Sequence, residues 1–223
     1  MEDILVKCSI MLVPALLAVT AHELAHGYAA DRLGDPTARL LGRLTFNPLR
    51  HLDLFGTLAL LLVGFGWARP VPVNPGNLRN PHRHMLWVAL SGPLANLLLA
   101  LASALLLRLL ALVPDTAVVE LLSRPLALMA AFSLYINLIL ALLNLMPVPP
   151  LDGGRILAAL LPPAWATRLR QIEPFGLLLV IGLIFFTDLW SLLFAPVILA
   201  AVALLAGPQA AVVAEVMRFL FGG

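Results

Sequence analysis

The sequence predicts an all-α polytopic membrane protein, a bundle of about five to six apolar helices. Three observations predict it. Of 223 residues, 61% are hydrophobic and 12% charged, with a mean hydropathy of +0.99, so the chain lacks the polar shell a soluble core of this length needs. Its apolar residues fall in runs long enough to cross ~30 Å of hydrocarbon. One of those runs contains His22-Glu23-Leu24-Ala25-His26. Ionisable groups at membrane depth cost roughly 2.5–3.5 kcal/mol each on insertion scales, and they mark functional sites.

Taken in order, the first helix is expected over residues 4–30. The opening Met1-Glu2-Asp3-Ile4 lacks the basic region of a secretory signal, and the run carries the His-Glu motif, so it should stay in the mature protein. A shorter apolar stretch covers 54–67. About 14 residues rise only ~21 Å as a helix, short of the ~30 Å hydrocarbon core, so a re-entrant element, helical or β-like, is expected between the first two core helices. Helix two is expected over 84–113 and helix three over 125–146. Two further stretches, 175–186 and 189–206, are separated by Thr187-Asp188 and make one span or two. Residues 208–221 read as a surface helix with Glu215 and Arg218 on its polar side. With no internal repeat and no low-complexity linker, one membrane-embedded domain is expected over 1–223. Its core covers about 4–160, followed by C-terminal helices within 174–206.

Charge and cysteine content narrow the function classes. A net charge of +2 is too small to suggest nucleic acid, and the pI of 9.2 reflects arginines gathered in loops. The single Cys8 rules out an intrachain disulfide and supplies no cysteine cluster for metal.

The metal chemistry follows from spacing. On a helix His22 and His26 lie one turn apart on one face, so both imidazoles can reach a single zinc ion. Glu23 sits beside the first of them, where a carboxylate can take a proton from metal-activated water. A catalytic zinc wants three protein ligands and one open position. The best candidate for the third is Asp152, in Asn144-Leu145-Met146-Pro147-Val148-Pro149-Pro150-Leu151-Asp152-Gly153-Gly154. There the prolines should end helix three and the glycine pair should let the backbone turn sharply, placing Asp152 on irregular backbone. The plainer alternative makes Asp152 a helix-end or turn carboxylate. In Ser91-Gly92-Pro93-Leu94-Ala95-Asn96, Gly92 allows close helix packing and Asn96 carries an amide into the bundle. Intramembrane asparagines often serve only as interhelical glue, an alternative open for both Asn96 and Asn144. His51, His82 and His84 sit beside arginines in polar loops and read as interfacial histidines.

These motifs resemble the site-2 protease family of intramembrane zinc metalloproteases. The resemblance rests on His-Glu-Leu-Ala-His in the first helix, Gly-Pro-Leu-Ala-Asn in a middle helix and Asn-Leu-Met-Pro-Val-Pro-Pro-Leu-Asp-Gly at a helix end, in that order. Gly34-Asp35-Pro36-Thr37, Gly42-Arg43-Leu44-Thr45-Phe46-Asn47-Pro48 and Pro70-Val71-Pro72-Val73-Asn74-Pro75 resemble the compact prokaryotic branch, which carries no inserted PDZ domain. The similarity covers roughly residues 15–160. It implies zinc ligation by His22, His26 and Asp152, with Glu23 as the general base. It also implies that Asn144, and secondarily Asn96, hydrogen-bond the substrate or the developing oxyanion. The expected activity is hydrolysis of a peptide bond within or near a transmembrane segment of a membrane-protein substrate, with the lipid bilayer as the working environment. An upstream protease that first trims the substrate is an expected partner; nucleic acid is not.

Topology can be argued from the ligands. His22 and His26 lie late in helix one and Asp152 just past helix three, so meeting at one depth requires these two helices to run the same way. That holds if 54–67 does not cross. Arg32, Arg39, Arg43 and Arg50 precede that stretch while Arg69, Arg79 and Arg83 follow it, and Arg155, Arg168 and Arg170 follow helix three. All would face the cytoplasm by the positive-inside rule, with the loop around Asp115 and Glu120 outside. A prokaryotic cytoplasmic membrane with the zinc site toward the cytoplasm is the expected setting. A zinc transporter could also place His and Asp in membrane helices, but it needs no Glu beside a His pair one turn apart. A noncatalytic binding module would be expected to lack Glu23 or a ligand.

Overall fold

The computed structural model describes residues 2–56, 58, 66–114 and 116–222, whose regular elements are all helices, with no strand among them. The elements are α1 (Glu2–Arg32), α2 (Thr37–Leu40), α3 (Pro81–Leu110), α4 (Ala117–Asn144), α5 (Asp152–Leu160), α6 (Pro163–Phe186), α7 (Ala195–Ala206) and α8 (Ala210–Phe221). Among the described residues four helical stretches are long and apolar enough to cross a membrane: Leu5–Arg32, Pro81–Leu110, Glu120–Asn144 and Trp190–Phe221. The last is interrupted at Gly207, whose φ of 59° closes α7 before α8 begins.

Several boundaries differ from the sequence expectation for one reason. Proline inside an apolar helix is accommodated here: Pro14 in α1, Pro93 in α3, Pro125 in α4 and Pro174 in α6 all lie within continuous helix. In lipid the helix is the conformation that satisfies the remaining backbone groups. Hence α4 begins at Ala117 rather than at 125, and α6 begins at Pro163, its first half carrying Arg168 and Glu173 ahead of the apolar run. α3 starts on Pro81, whose missing N–H costs nothing at a helix's first position. Residues 54–56 and 58 are helical; the rest of the expected re-entrant element falls largely on 57 and 59–65, outside the described residues.

The chain packs as two compact units. The first comprises Met1–Ala18, Asn96–Leu142 and Leu183–Gly223. Its helices are tied by a buried polar chain. Asn96 Nδ2 donates to Asn137 Oδ1 (2.8 Å) and to the Ala18 carbonyl (3.2 Å), Asn137 Nδ2 donates to the Ser133 carbonyl (2.8 Å), and the Ser103 and Ser133 hydroxyls lie 2.8 Å apart. Without a hydrophobic force between helices in lipid, such bonds and close packing hold a bundle together. In the same unit α8 buries Val213 and Val216 and leaves Glu215 and Arg218 exposed, as its pattern predicts. Leu98, Leu105, Leu192 and Leu204 are exposed apolar side chains of the kind a lipid-facing surface carries.

The second unit comprises Val19–Ala95 and Leu143–Gly182. Its loops are shaped by short caps. Asn47 and Asn74 each precede a proline and accept from the amides of Leu49 (3.1 Å) and Gly76 (3.0 Å), opening the single 3-10 turns Pro48–Arg50 and Pro75–Asn77. Among the described residues an isolated antiparallel bridge joins Leu52 to Ala68.

Candidate metal centre

Three buried side chains converge within this second unit. His22 and His26 project from the same face of α1, their rings 4.6 Å apart and nearly perpendicular. Asp152 is the first residue of α5. The two Nε2 atoms lie 3.1 Å apart, and Asp152 Oδ2 lies 3.1 Å from each of them. Among the described residues this is the group of His, Cys, Asp and Glu side chains placed to hold a metal ion.

The donor set fits zinc. Two imidazole nitrogens and one carboxylate oxygen make a neutral-pH ligand set that zinc takes readily. For an ion equidistant from three donors in a tetrahedral arrangement, edges of 3.1 Å place each donor ~1.9 Å from the centre, close to the ~2.0–2.1 Å of zinc–nitrogen and zinc–oxygen bonds.

Asp152 corrects one expectation from sequence. It does not lie on irregular backbone but opens a nine-residue helix, where the N-terminal end of the helix dipole favours a carboxylate. The glycine pair does not make a sharp turn either, since neither Gly153 nor Gly154 has positive φ. It serves close approach. A Cβ on Gly153 would overlap the carbonyls of Leu145 and Met146, and one on Gly154 would overlap the backbone of Val148 and Pro149. The loop leaving α4 is thereby pressed against the first turn of α5. Arg155 Nη1, one turn on, lies 3.8 Å from Asp152 Oδ1.

The histidines are oriented from α3. His26 Nδ1–H donates to the Val88 carbonyl at 2.7 Å, which fixes the tautomer and aims the Nε2 lone pair at the centre. Ser91 Oγ–H donates to the same carbonyl at 2.6 Å. Gly92 follows, and a Cβ there would overlap Nε2 and Cε1 of His26 and Cε1 of His22. The glycine lets α3 lie directly against both rings.

Glu23 is half-buried, and its Oε2 accepts from the Val71 amide at 2.7 Å. Val71 belongs to a strap, residues 69–74, held to the loops after α1. Arg43 Nη2 donates to the carbonyls of Arg69 (2.9 Å) and Pro70 (3.3 Å), and Arg69 N donates to the His51 carbonyl (2.8 Å). Asp35, fully buried, accepts from the Asn74 amide (2.6 Å), the Thr37 amide (3.1 Å), Asn77 Nδ2 (2.9 Å) and the Thr37 hydroxyl. Burial pushes the Asp35 carboxyl up, but these hydrogen bonds outweigh it and hold the group below the ordinary carboxylate range. Burial, with Arg69 nearby, moves the Arg43 guanidinium down from its ordinary value, partly offset by the Glu23 charge.

Of the other residues singled out from sequence, Asn144 is half-buried as the last residue of α4, in the same unit. Asn96 belongs to the first unit, bonded to Ala18 and Asn137. His51, read from sequence as an interfacial histidine, lies in the protein interior. It is fully buried, donating Nε2–H to the Thr45 carbonyl at 2.9 Å. The sequence reading missed Val88, Val71, Asp35 and Arg43. Main-chain partners leave no side-chain signature, although Val71 could have been noticed as the one N–H donor between Pro70 and Pro72.

The model of peptidase family M50 matches residues 10–122 and 110–187. YwhC of Bacillus subtilis, named as a zinc metalloprotease, is 40% identical over 190 residues, covering 84% of this chain and 85% of its own. Rip2 proteins of Mycolicibacterium smegmatis and Mycobacterium tuberculosis, also named as zinc metalloproteases, are each 31% identical over 76% and 75% of this chain. The chain spans 64% and 63% of their lengths. No solved structure matches. A family match across most of the chain, on helices that suit a bilayer and a donor set that suits zinc, leaves one assignment: the protein belongs to peptidase family M50, the site-2 proteases, and is a zinc-dependent metalloprotease of the membrane.

Proposed function

We propose that this protein is an intramembrane zinc metalloendopeptidase that cuts a peptide bond within or near the transmembrane segment of a membrane-protein substrate. In this reading His22, His26 and Asp152 hold the zinc and Glu23 is the general base. The supporting observation is the 3.1 Å triangle of buried donors with a carboxylate on the adjacent residue of the same helix. When bound, zinc supplies a Lewis acid that makes water a competent nucleophile near neutral pH and polarises a scissile carbonyl.

The chain's own groups do the rest. The Val71 amide holds one Glu23 oxygen, leaving the other to take the proton of the attacking water and deliver it to the departing amine. The amide of Asn144 hydrogen-bonds the substrate or its developing oxyanion, whereas Asn96, whose amide hydrogens go to Ala18 and Asn137, ties helices together. A substrate helix must unwind before attack, since its amides are tied in i→i−4 bonds. The extended strap 69–74 offers carbonyls along which an unwound segment can lie, although its prolines remove donors from that edge.

The whole chain acts as one catalytic membrane domain, with the zinc site toward the cytoplasmic side of a prokaryotic membrane, where water can reach it. Substrates are single-span proteins with short outer tails, already trimmed by another protease. Selection then rests on the membrane segment, and Gly, Pro or Asn near the cut should raise cleavage by weakening the target helix. Gly costs a helix about 1 kcal/mol and Pro about 3.

The test compares parent and Glu23→Gln protein reconstituted in vesicles with a transmembrane peptide. Cleavage by the parent, loss in the variant and equal zinc in both support the reading. Substantial cleavage by the variant overturns the role of Glu23. Metal flux across the vesicles without cleavage would make the protein a transporter instead.

A further inference from the structure

We propose that Arg43 is a positioning residue for Glu23, acting through the single peptide group that joins Pro70 to Val71. The inference rests on the reading of Glu23 as the general base. Arg43 Nη2 donates to the Pro70 carbonyl (3.3 Å) and to the Arg69 carbonyl (2.9 Å), while the N–H at the other end of the Pro70–Val71 peptide donates to Glu23 Oε2 (2.7 Å). A cation on the oxygen of a peptide group polarises that group and strengthens its N–H as a donor. The guanidinium and the carboxylate are therefore linked by one dipole, without touching.

The local architecture serves this link. Gly42, with φ of 64°, turns the chain out of α2, and the Arg43 amide bonds back to the Ala38 carbonyl at 2.9 Å, anchoring the base of the side chain. Gly27, on α1 just past His26, leaves room for Leu44 and Val71; a Cβ there would meet both side chains. Pro70 and Pro72 carry no N–H, so Val71 is the only amide donor over 70–72. Asp35 holds the far end of the strap at the Asn74 amide.

Arg43 is also an expensive way to stabilise a loop. It is 8% exposed, forms no ion pair among the described residues, and its Nε is buried without a partner there. Taking a charge out of water carries a large desolvation cost, which hydrogen bonds to two loop carbonyls offset only in part.

The experiment uses the full-length protein in vesicles with a transmembrane peptide substrate, and compares Arg43→Met and Arg43→Lys in the parent and in a Glu23→Asp background. Zinc content and thermal midpoint are recorded for each. The expected result for Arg43→Met is a kcat lower by about 10–100-fold with KM within about twofold and zinc unchanged. Arg43→Lys, which keeps the charge and a donor, restores part of kcat. In the Glu23→Asp background, whose shortened carboxylate is already displaced from the Val71 amide, the loss on Arg43→Met should shrink to less than about threefold, because residues acting as a unit are non-additive. An equal fold-loss in both backgrounds overturns the proposal, as does an unchanged kcat or a change confined to KM. If Arg43→Met does not fold, Arg43→Lys decides by the same comparison. Glu23→Gln runs alongside: if it cleaves as the parent does, the base assignment itself has failed, whereas its inactivity beside an additive Arg43 effect refutes this inference alone.

Discussion

The Nδ1 of His26 lies 2.7 Å from the main-chain oxygen of Val88, so a backbone group of α3 sets the direction in which an α1 imidazole presents its other nitrogen. That carbonyl cannot be removed by side-chain substitution, and it is doubly engaged, since Ser91 Oγ–H also donates to it. The orientation of the ring is built into the main chain.

Removing any of the three donors should empty the site. His22→Ala, His26→Ala and Asp152→Ala should each weaken zinc binding by at least about 100-fold, at the upper end of what losing an outer-shell partner costs. Metal analysis after dialysis against a chelator of graded strength measures this. An Asp152→Ala protein that keeps zinc as tightly as the parent would place the third ligand elsewhere.

Gly92→Ala should lower zinc affinity without touching a ligand. Its methyl would overlap both imidazoles, and neither the α3 backbone nor the rings can yield without moving the donors. Gly182→Ala is the matched control, because a Cβ there meets nothing within 4 Å. It should keep zinc and activity, and gain up to about 1 kcal/mol from helix propensity. Equal zinc affinity in the two variants would argue against the close approach of α3.

Asp35 should make stability fall in acid. Its carboxyl is held below its ordinary value of 3.8, so its contribution is fully present above that pH and is lost as pH drops through the lower folded-state value. Asp35→Ala, which removes the charged acceptor shared by the donors of Asn74, Thr37 and Asn77, should cost about 1–3 kcal/mol at neutral pH. Thermal midpoints of parent and variant should converge as the pH is lowered below 3.8. Parallel curves across that range would count against this origin.

Both flanks of 54–67 should be on one side of the membrane. In a Cys8-free background, cysteines replacing Arg39 and Arg79 should be labelled from the cytoplasmic side and one at position 115 from the opposite side. Labelling of 39 and 79 from opposite sides would make 54–67 a true span.

What was legible in the sequence were features carried by residue type and spacing. His22, Glu23 and His26 show their geometry in a five-residue window because a helix fixes it, and Asp152 stands out as a carboxylate in an apolar, proline-rich stretch. The long apolar runs announced α1, α3 and α4. Less visible were features set by main-chain partners or by tertiary packing. The helix opening on Asp152 was read as irregular chain because Gly153 and Gly154 argue against helix; only the neighbouring carbonyls of Leu145 and Met146 explain them. His51 and Arg43 looked like surface charge because their loops are polar, and the burial of both depends on a strap from residues 69–74. Asn137, unremarked in a hydrophobic run, proves to be the partner of Asn96.

The chain of Asn96, Asn137, Ser133 and Ser103 has a bearing on how the protein comes to be assembled. Each apolar helix can enter a bilayer independently, and lipid tails place almost no preference on how an inserted helix is rotated about its axis. An amide turned toward the acyl chains meets no partner, whereas one rotational setting and one sliding position of α3 against α4 closes the whole series of bonds together. The series therefore works as a key: helices that are interchangeable by hydropathy are sorted at docking by where four small polar groups fall along them.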